Sequence, residues 1–161
     1  MNRMLVALVA VCLPMLSVAA PPITEPVQVS MVSPMGITAH PGLCVSPQPN
    51  DTCEIAKITG KGTFLSGFVT KAEGATDISF VELIIDGRAI FNSSIAALKN
   101  QNLTQNNAFG EAVFPGEPLD TVVIGFPYPI PFESSLVLRV VIGTSDTGIS
   151  QINGRVIAGS Q

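Results

Sequence analysis

From Ile58 onward the chain is a succession of short apolar runs separated by turn-forming residues. The runs are rich in β-branched and aromatic residues, which favour strands. They occupy residues 63–70, 78–85, 88–92, 112–114, 121–126 and 135–142. Turns recur about every 8–12 residues, and neither a strand–helix alternation nor an internal repeat is present. This spacing predicts an all-β fold, an antiparallel β-sandwich or small barrel.

Local signals mark two hairpins and one helix. Asp86-Gly87 stands directly between two strand-like runs, the sequence that a tight two-residue turn requires. Asn153-Gly154 predicts a second hairpin, joining residues 149–152 to 155–158. Ser93 or Ser94 can cap a short helix over residues 95–100, because a serine hydroxyl accepts a hydrogen bond from the helix N-terminus.

Composition limits the class of protein and its partners. The chain has 161 residues, of which 47% are hydrophobic and 12% charged. These values fit one folded domain and exclude a disordered chain or a coiled coil. The net charge of −4 would repel nucleic-acid phosphates, so no nucleic-acid partner is expected.

Residues 1–19 are predicted to be a signal peptide. Arg3 precedes the apolar residues 4–16, and Ser17-Val18-Ala19 fits a small-residue cleavage site. The apolar run is shorter than the roughly 20 residues of a membrane-spanning helix, and no later run is longer. The mature chain is therefore expected to be exported to the periplasm or the extracellular space, without a membrane span.

Residues 20–57 contain seven prolines and are predicted to form an extended arm, with the sandwich domain over 58–161. The mature chain keeps two cysteines, Cys44 and Cys53, on either side of a proline-rich turn. In an oxidising compartment such a pair predicts a disulfide that closes a short loop. Two free thiols and a metal-binding pair are the alternatives.

Prolines alternate through residues 126–132, FPYPIPF. In an extended chain, prolines at that period remove the N–H donors from one edge only. One interpretation is a protected edge strand that resists sheet-to-sheet aggregation. The other is an apolar rim of Phe126, Tyr128, Ile130 and Phe132 that binds a partner or a neighbouring protomer.

Residues 81–91 (VELIIDGRAIF) together with 128–140 (YPIPFESSLVLRV) resemble single jelly-roll modules. Such modules occur in phage-type receptor-binding and capsid-like proteins and in the sandwich part of some secreted glycan-active enzymes. The resemblance covers residues 62–143, about half of the chain. It implies a jelly-roll-like sandwich that forms a homo-oligomer, with a trimer favoured, or binds a glycan or protein ligand.

Catalytic signals are few. His40 is the one histidine, and no nucleophile turn accompanies it, so a Ser-His-Asp triad is not expected. Glu111, Glu117 and Asp120 could supply general acid and base groups, or form a polar loop. The same three residues, with Asp77, Asp86 or Asp146, could bind calcium, although they lack the spacing of known calcium loops. Met31 and Met35, with His40, could bind cuprous copper, but packing explains them better. No metal or other cofactor is expected.

Three Asn-x-Ser/Thr sequences, at Asn50, Asn92 and Asn102, are possible N-glycosylation sites and would then mark surface loops. Together these features predict an exported, non-catalytic binding or assembly module. A glycan-active or glycan-binding sandwich that uses acidic loop residues is the first alternative. A periplasmic metal-binding protein is the second.

Overall fold

A computed structural model of the chain describes residues 36–105, 110–116 and 118–160. These residues form nine strands and one helix. The strands are β1 (Ile37–Val45), β2 (Thr52–Thr59), β3 (Gly62–Glu73), β4 (Phe80–Ile85), β5 (Arg88–Ser94), β6 (Glu111–Phe114), β7 (Leu119–Phe132), β8 (Ser135–Val141) and β9 (Ile149–Ser160). The helix α1 spans Ile95–Asn100.

The strands form two antiparallel sheets. One has the order β1-β9-β3-β7-β6 and the other the order β2-β8-β4-β5. When the short β6 is set aside, each sheet has four strands, and the chain crosses between the sheets at every connection but the β4–β5 hairpin. This is the arrangement of a jelly roll. The predicted all-β, jelly-roll-like sandwich with one short helix is therefore confirmed.

Strict alternation of side chains builds the core between the sheets. In β8, Leu136, Leu138 and Val140 are buried, and the residues between them are half-exposed. In β4, Val81 and Leu83 are fully buried in the same way. Burying one such side chain contributes about 1.5–3 kcal/mol. These two central strands therefore fix the register of the four-stranded sheet, because a one-residue slip would expose all of them.

The proline-rich segment differs from the prediction. Its described part contributes β1, which pairs with β9, and β2, which pairs with β8. The sandwich therefore includes residues from Ile37, whereas composition placed its start at residue 58. Both strands lie at sheet edges, where a proline such as Pro41 can be accommodated because one side of the strand needs no donor.

The hairpin predicted at Asn153-Gly154 is wrong, because β9 runs through this pair without a turn. Gly154 is required by close packing instead. A Cβ atom there would lie 2.5 Å from the backbone oxygen of Phe68 and 2.9 Å from Ile55. Neither Asn153 nor Gly154 has the positive φ of a tight hairpin turn.

The other two local predictions are confirmed. Asp86 and Gly87 both have positive φ, 49° and 77°, and join β4 to β5. Ser94 caps α1, and its hydroxyl accepts a hydrogen bond from the amide of Ala97 at 3.1 Å.

Asp86 also connects the two segments on which the jelly-roll resemblance rests. Its carboxylate accepts hydrogen bonds from the backbone amides of Glu133, Ser134 and Ser135, at 2.7–3.2 Å. These amides form the turn between β7 and β8. Their hydrogen bonds hold the pKa of the Asp86 carboxyl well below its ordinary value.

We expect this contact to make the free energy of unfolding depend on pH in the acidic range. A carboxyl whose pKa is lowered by folding stabilises the protein above its unfolded pKa of about 3.9, and the contribution disappears as the pH falls further. Asp86→Asn should therefore unfold at a lower urea concentration than the wild type at pH 7. The difference between the two urea midpoints should become smaller at about pH 2–3. A gap of equal size at both pH values would contradict this assignment.

Candidate functional site

The predicted disulfide between Cys44 and Cys53 is present. It joins β1 of the five-stranded sheet to β2 of the four-stranded sheet, across a loop that contains Pro47 and Pro49. By the chain-entropy estimate, a disulfide that closes a loop of this size stabilises the fold by about 2–3 kcal/mol. A disulfide is consistent with an exported protein.

The four residues of the predicted apolar rim do not share one environment. Phe132 is buried in the core, whereas Phe126 and Ile130 are half-buried and pack against it. The Phe126 ring meets the edge of Phe64, with the ring centres 6.1 Å apart. Tyr128 is 75% exposed. Phe126, Ile130 and Phe132 are therefore anchored, whereas Tyr128 and the prolines on either side of it are exposed to solvent.

A bulge in β7 explains this difference. Gly125 pairs with Ser66 of β3, and Ile130 pairs with Phe64, so four residues of β7 oppose a single residue of β3. We call residues 126–129 (FPYP) the Tyr128 bulge. Bulges of this kind redirect side chains and recur beside functional sites.

The edge of β7 along the bulge lacks a described partner strand. β6 pairs only with residues 121–124 of β7. Pro127 and Pro129 cannot donate backbone hydrogen bonds there, so another strand cannot readily extend the sheet along this edge. The edge-strand interpretation of the alternating prolines agrees with this arrangement.

A polar cleft of about 470 Å³ lies at the opposite end of β7. It is lined by Glu73, Gly74, Asp77, Lys99, Pro115, Gly116, Pro118 and Asp120. These residues come from the end of β3 and the β3–β4 loop, from the last turn of α1, and from the β6–β7 turn and the start of β7. Its volume falls within the range of small-molecule sites.

Lys99 organises the charges in the cleft. Its ammonium group lies 2.7 Å from Oδ2 of Asp77 and 3.0 Å from both carboxylate oxygens of Asp120, with hydrogen-bond geometry to Oδ2 of Asp120. Burial opposes the ionisation of Asp77, but the hydrogen bond and charge of Lys99, together with Lys71, outweigh it and lower the pKa of Asp77. Burial alone would lower the pKa of Lys99. The hydrogen bonds and charges of the Asp77 and Asp120 carboxylates outweigh burial, and the pKa of Lys99 is raised.

A second ion pair lies in the core behind the cleft. The ammonium group of Lys71 on β3 contacts both carboxylate oxygens of Asp146, at 3.2 and 3.0 Å. The exposed fractions of the two side chains are 2% and 0%. Asp146 also accepts hydrogen bonds from the Ser79 hydroxyl at 2.5 Å and the Thr76 amide at 3.1 Å. The pair is therefore almost completely removed from water, and each carboxylate oxygen has a further donor.

The proposed acidic residues are placed separately. Asp120 lines the cleft, whereas Glu111 opposes Ile124, four residues further along β7, and is not among the lining residues. Burial raises the pKa of Glu111. Glu117 lies outside the described residues. A glycoside hydrolase needs one protonated carboxyl group beside an ionised one, whereas the two aspartates in the cleft both contact the Lys99 ammonium.

The remaining predicted sites are dispersed. Asn50, Asn92 and Asn102 are all exposed, as surface sequons would be. His40 is half-buried on β1, whereas Met31 and Met35, like the predicted signal peptide, lie outside the described residues. In the part of the chain that the structure describes, no three His, Cys, Asp or Glu side chains are grouped as a metal site.

Sequence reasoning did not identify Lys71 or Lys99. Lys71 was detectable only by extending the predicted strand 63–70 by one residue: it follows Val69 by two residues, so in the longer observed strand β3 its side chain points into the core. Lys99 carries no comparable signal. Its role depends on the packing of α1, whose Ala96 amide donates to the Asp77 carbonyl at 2.8 Å.

The fold and the two surfaces define a class, the antiparallel jelly-roll sandwich with a polar end cleft and an aromatic bulge. No protein-family model matches the chain, and no curated protein matches it. Solved structures that match include the catalytic domain of a GH87 alpha-1,3-glucanase in complex with nigerose, with 10% identity over 79% of this chain and a TM-score of 0.34. A variant of that domain in complex with tetrasaccharides matches with 11% identity, 79% coverage and the same TM-score. The chain spans 28% of the length of these domains, and a likeness at this level carries no functional argument.

Within residues 36–105, 110–116 and 118–160, no helix is long and apolar enough to cross a membrane.

Proposed function

We propose that this protein is a non-catalytic binding module that contacts a protein partner through the Tyr128 bulge. The observation that carries the proposal is the exposure of Tyr128, which is 75% accessible between two exposed prolines, while Phe126 and Ile130 at the two ends of the segment are anchored against the core. Tyrosine side chains held in this way bury a large area in an interface with little loss of conformational entropy, and tyrosine is enriched among binding hot spots.

Protein rather than nucleic acid fits the chemistry of this surface. Proline and tyrosine offer apolar area and one hydroxyl group, and no basic side chain lies within the bulge. Because the prolines prevent strand addition, the partner must be bound through side chains. A neighbouring copy of the chain, as in the trimers that the jelly-roll resemblance implies, is the first partner to test.

The test compares Tyr128→Ala with Phe80→Ala, a truncation of another exposed aromatic residue on β4. Light scattering across a concentration series measures self-association. If the wild type self-associates, we expect Tyr128→Ala to weaken association about 30-fold or more, the effect of a hot-spot residue. Phe80→Ala should have little effect.

If the wild type remains a monomer, the partner is a different protein. A photo-reactive amino acid at position 128 should then cross-link it in cells of the source, and the same group at position 80 should not. Equal cross-linking at both positions, or none at position 128, would reject the proposed surface.

The polar cleft supports a second candidate function, the binding of a hydroxyl-rich ligand such as a glycan. Carboxylates of Asp77 and Asp120 can accept hydrogen bonds from hydroxyl groups, and Lys99 can donate them. A glycan screen with the wild type and Asp120→Asn tests this candidate. Binding that is lost in Asp120→Asn but kept in Tyr128→Ala would assign the ligand to the cleft rather than to the bulge.

A further inference from the structure

We propose that Lys71 and Asp146 condense into an intramolecular amide bond that links β3 to the β8–β9 loop. The two groups are the components of an amide, an amine and a carboxyl group, and they are in direct contact. The Lys71 nitrogen lies 3.0 and 3.2 Å from the two oxygens of Asp146. Groups held this closely react with large effective molarity. The proposal is independent of the Tyr128 bulge.

Burial supplies the driving force. A buried ion pair carries the desolvation penalty of both charges, whereas the amide is neutral. Side chains that are 2% and 0% exposed also exclude the water that would hydrolyse the product. Gly74 packs directly over the pair, since a Cβ there would lie 2.7 Å from Asp146 and 2.9 Å from Lys71. The backbone of Gly74 therefore leaves no room for a side chain over the contact between Lys71 and Asp146.

The surrounding hydrogen bonds fit such a reaction. The Thr76 amide donates to Oδ1 of Asp146 and the Ser79 hydroxyl to Oδ2, so both oxygens of the reacting carboxyl are polarised. The Thr76 carbonyl accepts a hydrogen bond from the Lys71 ammonium and orients it. A second carboxylate, that of Asp77, lies 3.6 Å from the Lys71 nitrogen.

The step balances without an external reagent. One proton passes from the Lys71 ammonium to the Asp146 carboxylate, which leaves an amine beside a carboxylic acid. The amine nitrogen attacks Cγ of Asp146, and the C–N bond forms. The nitrogen then loses a proton to Asp77, which returns it to the departing hydroxyl group as the C–O bond breaks. One water leaves, and Asp77, which lines the cleft, lies on its way to solvent.

Intact mass spectrometry of the reduced, denatured protein tests the proposal, with the N-terminus determined on the same sample. We expect a mass lower than that of the linear sequence by one water molecule. A protease digest should yield one branched peptide that contains both Lys71 and Asp146. A full linear mass, with separate peptides for the two residues, would overturn the proposal.

The chain contains its own control. Lys61 and Glu133 are closer, at 2.6 Å, but their side chains are 63% and 72% exposed. They should remain unlinked in the same digest, because water solvates both charges. A branched peptide at this exposed pair would point to a preparation artefact and would overturn the argument from burial.

Asp77→Asn tests the proton-transfer role while both reacting groups remain. We expect this variant to have the full linear mass and a wild-type circular dichroism spectrum. A variant that still loses one water would overturn the role of Asp77. Lys71→Met removes the amine, and its mass should equal that of its linear sequence. Because the wild-type mass decides the main proposal, a variant that fails to fold leaves the test intact.

Discussion

Replacement of Asp146 by alanine should lower the free energy of unfolding by about 3–5 kcal/mol, because it leaves the buried Lys71 ammonium without its partner, and loss of the proposed Lys71–Asp146 amide would add to this. The Lys71 ammonium would remain in the core without its main counter-charge, and the donors at Thr76 and Ser79 would lose their acceptor. Urea denaturation followed by circular dichroism measures the change.

The matched control is Glu133→Ala, which breaks the exposed pair with Lys61. Exposed pairs contribute little to stability, because water screens the charges. We therefore expect a clear difference between the two variants. Losses of equal size would mean that the environment of Asp146 is not the buried one described above.

Leu138→Ala should cost about 2–5 kcal/mol, because it leaves a cavity that the surrounding strands cannot fill. Leu138 is fully buried at the centre of the four-stranded sheet, opposite Ala56 of β2 and Leu83 of β4. Its neighbour Val137 points to the outer face of the same strand and is half-exposed. Val137→Ala should cost about 1 kcal/mol or less.

Comparison of the urea midpoints of these two variants tests the assignment of inward and outward faces in β8. If Val137→Ala were the more destabilising change, the register of β8 between β2 and β4 would be shifted by one residue. The same shift would misplace Arg139, which donates a hydrogen bond at 2.6 Å to Glu82 on the outer face of the sheet.

The strands of the core could be predicted because their information is local. Alternation in β4 and β8 appears directly in the sequence, and Asp86-Gly87 fixes the hairpin beside it. The proline-rich strands could not be predicted, because their pairing is set by the distant strands β8 and β9. The prediction of a turn at Asn153-Gly154 was wrong for the same reason. The packing of Gly154 against β3, and not the turn preference of the Asn-Gly pair, decides the conformation there.

The candidate site was less accessible to sequence reasoning than the fold. The cleft combines Asp77, Lys99 and Asp120, which are more than twenty residues apart along the chain and meet only after the sheets have packed. The predicted rim residues separate into anchored and exposed members because of a bulge in β7, which the sequence pattern did not indicate. A bulge depends on how the two strands pair in the folded protein, so it cannot be recognised from the sequence of β7 alone.

The disulfide has a mechanical consequence, because β1 and β2 are the edge strands of the two different sheets. A bond between them closes one of the two seams along which the layers of the sandwich could part. After reduction, we expect the sandwich to open first at this edge, where β1 is no longer tied to β2 and detaches from its sheet neighbour β9. Faster hydrogen exchange confined to residues 37–45 would be its signature, since those amides are protected by pairing with β9 alone. The disulfide thus determines whether the β1 edge is the first part of the sandwich to unfold.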